Sequence, residues 1–251
     1  MTQPTSPPAA APALAAARTG RDFRLAGILA VIFGMLLFVP TIVLGAAIGW
    51  PASLGEPATN LMPLIVEQEG AVRLGYLSYL VYSVLFLPAV MAIARIVGDG
   101  STTRLAIAFA AISTLARSIG IIRWLVVLPA IAAAWVAAPD DALAVVFTAI
   151  NDWGGSIGEL LGVSLFAAVA VGLLSVAILR SDLPRWWGWL GLVVSAGQVL
   201  PAVELFGVDL GALLTVTTAA FQMWFLAIGV ALLMISRSTS TRSASARGAN
   251  N

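Results

Sequence analysis

The chain of 251 residues is 60% hydrophobic and 10% charged, with a net charge of +1 and a mean hydropathy of +1.00. Soluble domains carry roughly a quarter charged residues, so most of this surface is matched to lipid. The near-neutral charge excludes a nucleic-acid partner, which needs a basic face. The chain has no His, no Cys and no Lys. Zinc, copper, haem and iron–sulfur centres therefore lose their usual ligands, no disulfide forms, and no lysine Schiff base is available. A carboxylate-only site for Mg²⁺ or Ca²⁺ stays open but has no motif behind it, so no metal and no cofactor is expected.

Residues 1–23 are rich in Pro, Ala and Thr and carry Arg18 and Arg21 without apolar periodicity. They read as a disordered cytoplasmic arm. The apolar run that follows is longer than a signal-peptide core of about 7–15 residues and is kept as a mature helix. With about 20 apolar residues needed per crossing, six spans follow: Leu25–Gly49, Leu74–Val97, Leu105–Ala138, Gly154–Leu179, Trp186–Val203 and Leu210–Ile235. They make an all-α polytopic transmembrane bundle over 24–236, and 237–251 reads as a disordered cytoplasmic tail.

The third run, Leu105–Ala138, would extend about 51 Å as a straight helix against a hydrocarbon core of about 30 Å, so Pro129 is expected to kink it. Ala142–Ile150 is apolar but too short to cross, and either extends the fourth helix or lies at the interface. Together with Leu61–Val66, these segments are expected to cap the bundle on its non-cytoplasmic side.

Orientation follows from the arginines. One set of connections and arms holds Arg18, Arg21, Arg24, Arg95, Arg104, Arg180, Arg185, Arg237, Arg242 and Arg247 against only Asp22, Asp99 and Asp182. The other holds Arg73 alone, against Glu56, Glu67, Glu69, Asp140, Asp141, Asp152, Glu204 and Asp209. The sets alternate at every crossing, which puts both termini in the cytoplasm of a multi-pass inner-membrane protein. Trp186, Trp187 and Trp189 are expected at the inner interface, and Trp50, Trp135 and Trp153 at the outer one.

Gly154-Gly155-Ser156-Ile157-Gly158 matches the Gly-x-Ser-x-Gly nucleophile pattern. That motif needs a strand–turn–helix and a His base, and neither is present. Gly154, Gly158 and Gly162 instead recur every four residues, the pattern by which small residues let membrane helices approach closely.

Arg117, Arg123 and Glu159 are the charges set well inside apolar runs. Each costs about 2.5–3.5 kcal/mol at the bilayer centre on insertion scales, so each should face inward and find a partner. Counting 1.5 Å per residue, Arg117 lies about 20 Å beyond Arg104 and Glu159 about 10 Å beyond Asp152. In a 30 Å core those depths coincide, which predicts that Glu159 pairs with Arg117 or Arg123. Asp152, Gln198, Glu204, Gln222 and Tyr79 are the further polar groups expected at a buried ligand site, with Tyr76 beside them.

Two segments carry a family resemblance: Arg180-Ser-Asp-Leu-Pro-Arg-Trp-Trp-Gly-Trp-Leu-Gly-Leu-Val193 and Gln222-Met-Trp-Phe-Leu-Ala-Ile-Gly229. Both resemble the bacterial membrane proteins grouped as domain of unknown function 4386, over roughly residues 20–236. The resemblance implies the membrane architecture and a bacterial source, and no activity. Family members often carry Glu where Gln222 stands here, which implies that any proton chemistry of that acid is missing.

Three functions stay open from the sequence. The first is binding or transport of a small anionic or amphipathic molecule at the buried Arg/Glu group. The second is a carboxylate-dependent enzyme acting on a lipid or isoprenoid through Asp152, Glu159 and Glu204. The third is a non-catalytic assembly partner.

Overall fold

Thr19 caps the first helix. Its hydroxyl accepts the Asp22 amide at 3.3 Å, and the Asp22 carboxylate accepts the Thr19 amide at 2.9 Å. This reciprocal cap satisfies amides that a helix start leaves open. In the computed structural model the backbone is described for residues 19–206 and 212–248, and side chains for residues 19–203 and 216–238. Helix α1 (Gly20–Leu36) thus begins inside the segment expected as an arm, whose residues 1–18 lie outside the described residues.

All regular elements among the described residues are helical. After α1 come α2 (Phe38–Ile48), α3 (Ala58–Glu67), α4 (Glu69–Val97), α5 (Ser101–Leu125), α6 (Val127–Ala137) and α7 (Asp141–Gly155). A π-helical segment (Ser156–Phe166) leads into α8 (Ala167–Leu179), followed by α9 (Arg185–Val199), a 3₁₀ turn (Leu200–Phe206) and α10 (Ala212–Gly248). Residues 237–248, expected as disordered, therefore continue α10.

Six units among the described residues are long and apolar enough to cross a membrane: Gly20–Ile48, Glu69–Val97, Ser101–Ala137, Asp141–Leu179, Arg185–Val203 and Val216–Ser238. The Ser236 hydroxyl donates to the Gly20 carbonyl at 2.8 Å. The start of the first span and the end of the last therefore share one end of the bundle, as an even number of crossings requires. A Cβ on Gly27 would lie 2.8 Å from the Gly229 carbonyl oxygen. Such close approach is how α1 and α10 pack without large side chains between them.

Proline sets two of the breaks. The ring of a helical proline clashes with the carbonyl four residues earlier. That residue is Leu36 for Pro40 and Leu125 for Pro129, the last residues of α1 and α5. The third span is thus broken one turn before Pro129, at Val126, and α6 runs on from there. Pro88 sits inside α4 without ending it. The fourth span begins at Asp141, so Ala142–Ile150 extends it.

Two apolar cores result. The larger joins α1, α4, α5, α8, α9 and α10 around Phe33, Phe86, Trp187, Phe221 and Phe225. Trp187, expected at an interface, is buried there, and its carbonyl accepts the Trp224 indole N–H at 3.1 Å. Trp186, Trp189 and Trp153 are exposed. The smaller core gathers Leu61, Met62 and Ile65 of α3 with Trp124, Leu128 of α6 and Phe147 of α7. It forms the apolar cap at the acid-rich end. Tyr79 packs against both cores and marks the seam between them.

Candidate functional site

The seam is where α5 meets the π segment. A Cβ on Gly158 would lie 2.8 Å from Gly120 Cα, and one on Gly162 would lie 2.8 Å from the Arg117 amide nitrogen. Gly154 abuts the Arg123 side chain. All three glycines of the stripe therefore face α5, in antiparallel register with Arg123, Gly120 and Arg117. Wide π winding leaves backbone acceptors open to side chains, and π turns are frequent at functional sites. Here Gly162 O accepts from the Ser113 hydroxyl at 2.7 Å, and Val163 O accepts from Gln198 Nε2 at 3.3 Å.

Arg123 lies in the last turn of α5 and is 6% exposed. Its Nη1 donates to Gly120 O at 2.6 Å, where the helix C-terminus favours a cation. Nη2 donates to Glu159 Oε1 at 3.1 Å and to Asn151 Oδ1 at 3.3 Å, and Nε reaches the same Asn151 oxygen at 3.4 Å. All three guanidinium nitrogens are thus engaged. Glu159 thus pairs with Arg123, while its carboxylate stays half exposed on the gap beside α5.

Arg117 is different. It is 1% exposed, and its Nε makes only a 3.5 Å contact with Gly162 O. Among the described residues neither Nη1 nor Nη2 meets a hydrogen-bond partner of good geometry, and the Tyr82 hydroxyl is the polar group beside them. The guanidinium carbon sits 4.5 Å from the centre of the Phe86 ring and 5.8 Å from that of Tyr82. A desolvated cation–π contact is worth about 2 kcal/mol, but it satisfies none of the N–H donors. No acid among the described residues forms an ion pair with Arg117. Arg117, Arg123 and Glu159 together leave one positive charge over.

A cleft joins these groups. Tyr76 and Tyr79 of α4, Arg117, Arg123 and Trp124 of α5, and Glu159 of the π segment line it, with Trp50 at its edge. Its free volume is about 10 Å³, room for one water molecule. Tyr76 stacks on Trp124 with ring centres 4.6 Å apart, and its buried hydroxyl has no hydrogen-bond partner among the described residues. The Tyr79 ring meets Trp50 at 5.7 Å and Tyr82 at 5.8 Å. Tyr79 lines the cleft together with Arg117, Arg123 and Glu159.

The other expected site residues fall elsewhere. Asp152 is exposed and outside the cleft. Gln198 is buried against the π segment without lining the cleft, and its backbone carbonyl accepts from Ser164. Gln222 is buried without lining the cleft and donates to the Tyr82 hydroxyl at 2.5 Å. The Glu204 side chain lies outside the described residues. Asn151, Tyr82 and Phe86 join the group without having been singled out in the sequence. The three-residue spacing of Tyr76, Tyr79 and Tyr82 on α4 was the available signal for Tyr82.

The family model described as "Domain of unknown function (DUF4386)" matches residues 25–236. The chain belongs to that family. Neither a curated protein nor a solved structure matches it. The DUF4386 match spans all six crossings and takes in every residue of the cleft. The DUF4386 description assigns no activity, so function has to be argued from the side chains.

Proposed function

We propose that this protein binds a small anion, or the anionic head of an amphipathic molecule, within the membrane at Arg117. It does so as a multi-pass protein of the bacterial inner membrane with both termini cytoplasmic. One observation carries the reading: a guanidinium 1% exposed whose two terminal nitrogens lack a hydrogen-bond partner among the described residues. A buried charge without a partner is costly enough to imply a function by default. The low-dielectric cap above it strengthens any attraction to a counter-ion. The acid–base reading has less support, because Asp152 and Glu159 do not share the cleft. Thermal unfolding of the purified protein with decanoate, an isoprenyl phosphate and inorganic anions tests the reading. At least one anion should raise the melting temperature of the wild type and leave Arg117→Gln unmoved. A wild type indifferent to all of them would refute it.

A further inference from the structure

Resting on that reading, we infer that the anion held at Arg117 is a monatomic halide, chloride under ordinary conditions, rather than a carboxylate or phosphate head group. The cleft has room for one water-sized particle. A halide is larger than water but far smaller than a carboxylate or phosphate head group, so it demands the least movement of the walls. A carboxylate or phosphate would require α5 and the π segment to part, which would give up the close backbone packing of Gly120 on Gly158.

The chemistry of the walls agrees. Among the described residues, the cleft-lining side chains include buried, unpartnered donors, Arg117 Nη1 and Nη2 and the Tyr76 hydroxyl, beside the Glu159 carboxylate that Arg123 holds through Oε1. Tyr79 lines the same cleft. A spherical anion accepts hydrogen bonds from any direction, so it suits donors converging from α4 and α5 without fork geometry. Apolar walls, here Ile121 and Val163, suit a weakly hydrated ion better than a strongly hydrated one. The charge also balances. Glu159 is already held by Arg123 at 3.1 Å, so the remaining surplus is a single positive charge. One monovalent anion neutralises it; a phosphate dianion would overshoot.

The test uses the full chain in detergent at constant ionic strength, with sodium chloride, bromide, decanoate and gluconate. Chloride and bromide should raise the melting temperature saturably over gluconate. Arg117→Gln should weaken the apparent halide affinity by about tenfold or more, and Tyr79→Phe by a smaller factor. If Arg117→Gln does not fold, a bromide anomalous peak within the wild-type cleft decides instead: its presence supports the halide and its absence overturns it. Stabilisation by decanoate with none by halide would overturn the halide while leaving an anion site at Arg117. Indifference to every anion would overturn both.

Discussion

Gly120 and Gly158 touch backbone to backbone: a Cβ on Gly120 would sit 2.5 Å from Gly158 Cα, closer than real side chains ever come. In lipid the hydrophobic effect does not drive helices together, so contacts of this kind carry much of the packing. This contact lies between the levels of Arg117 and Arg123. It sets how far the two guanidinium groups stand from the π segment, and hence the size of the cleft.

Gly120→Ala should therefore destabilise the bundle by about 1–3 kcal/mol, the usual cost of overpacking a tight contact. Gly70 is the control, since a Cβ there meets nothing within 4 Å. Gly70→Ala should be neutral or slightly stabilising, because alanine is the better helix former. Equal melting temperatures for the two variants in detergent would show that the Gly120 contact is not tight.

A double-mutant cycle should separate the two arginines. Arg123 and Glu159 share a direct bond at 3.1 Å, whereas Arg117 has no ion pair. Arg123→Gln with Glu159→Gln should show a coupling of about 1–3 kcal/mol. Arg117→Gln with Glu159→Gln should show clearly less. Glu159→Gln alone should be the milder of the first pair, because Arg123 keeps Gly120 O and Asn151 Oδ1. A larger coupling for Arg117 would place the carboxylate on the wrong arginine.

Much of this fold was legible because hydropathy and length are bulk properties of each span, and the cap followed from apolar runs too long or too short to cross. The breaks at Pro40 and Pro129 follow from ring sterics, though only the second was expected. The depth match of Arg117 with Glu159 was off by about one turn. It took Asp152 as the boundary of the fourth span, whereas that helix begins at Asp141. It also assumed α winding throughout, whereas Ser156–Phe166 is π. Gly162, not Glu159, consequently stands level with Arg117. Hydrogen-bond register of that kind leaves no mark on apolar periodicity. Trp187 was misplaced because a Trp-rich loop edge looks uniformly interfacial, although only one of its three rings turns inward.

The proposed orientation is open to a direct check. The Ser236–Gly20 hydrogen bond places both ends of the bundle together, and the arginine bias assigns that end to the cytoplasm. A reporter active only outside the cytoplasm should work when fused after residue 55 or 140 and stay silent after residue 100 or 183. The reverse pattern would invert the protein in the membrane and move the cleft to the cytoplasmic half.

Arg117→Met gives the sharpest division between a structural arginine and a ligand site. An ion-paired arginine stabilises its surroundings, and removing one partner of a buried pair costs about 3–5 kcal/mol. An arginine buried without a partner does the opposite. Replacing buried charge by an apolar side chain of similar volume is often neutral or stabilising by about 1–4 kcal/mol. Met has the length to follow the Arg117 stem against Phe86 and Tyr82, and it strands no acid, because Glu159 stays on Arg123. In gluconate buffer, Arg117→Met should melt at or above the wild-type temperature. Addition of chloride should raise the wild type and leave the variant where it was, because binding to the folded state stabilises only a protein that retains the site. A variant that melts well below the wild type in both buffers would mean that Arg117 is held by the bundle itself, and the anion site would have to be given up.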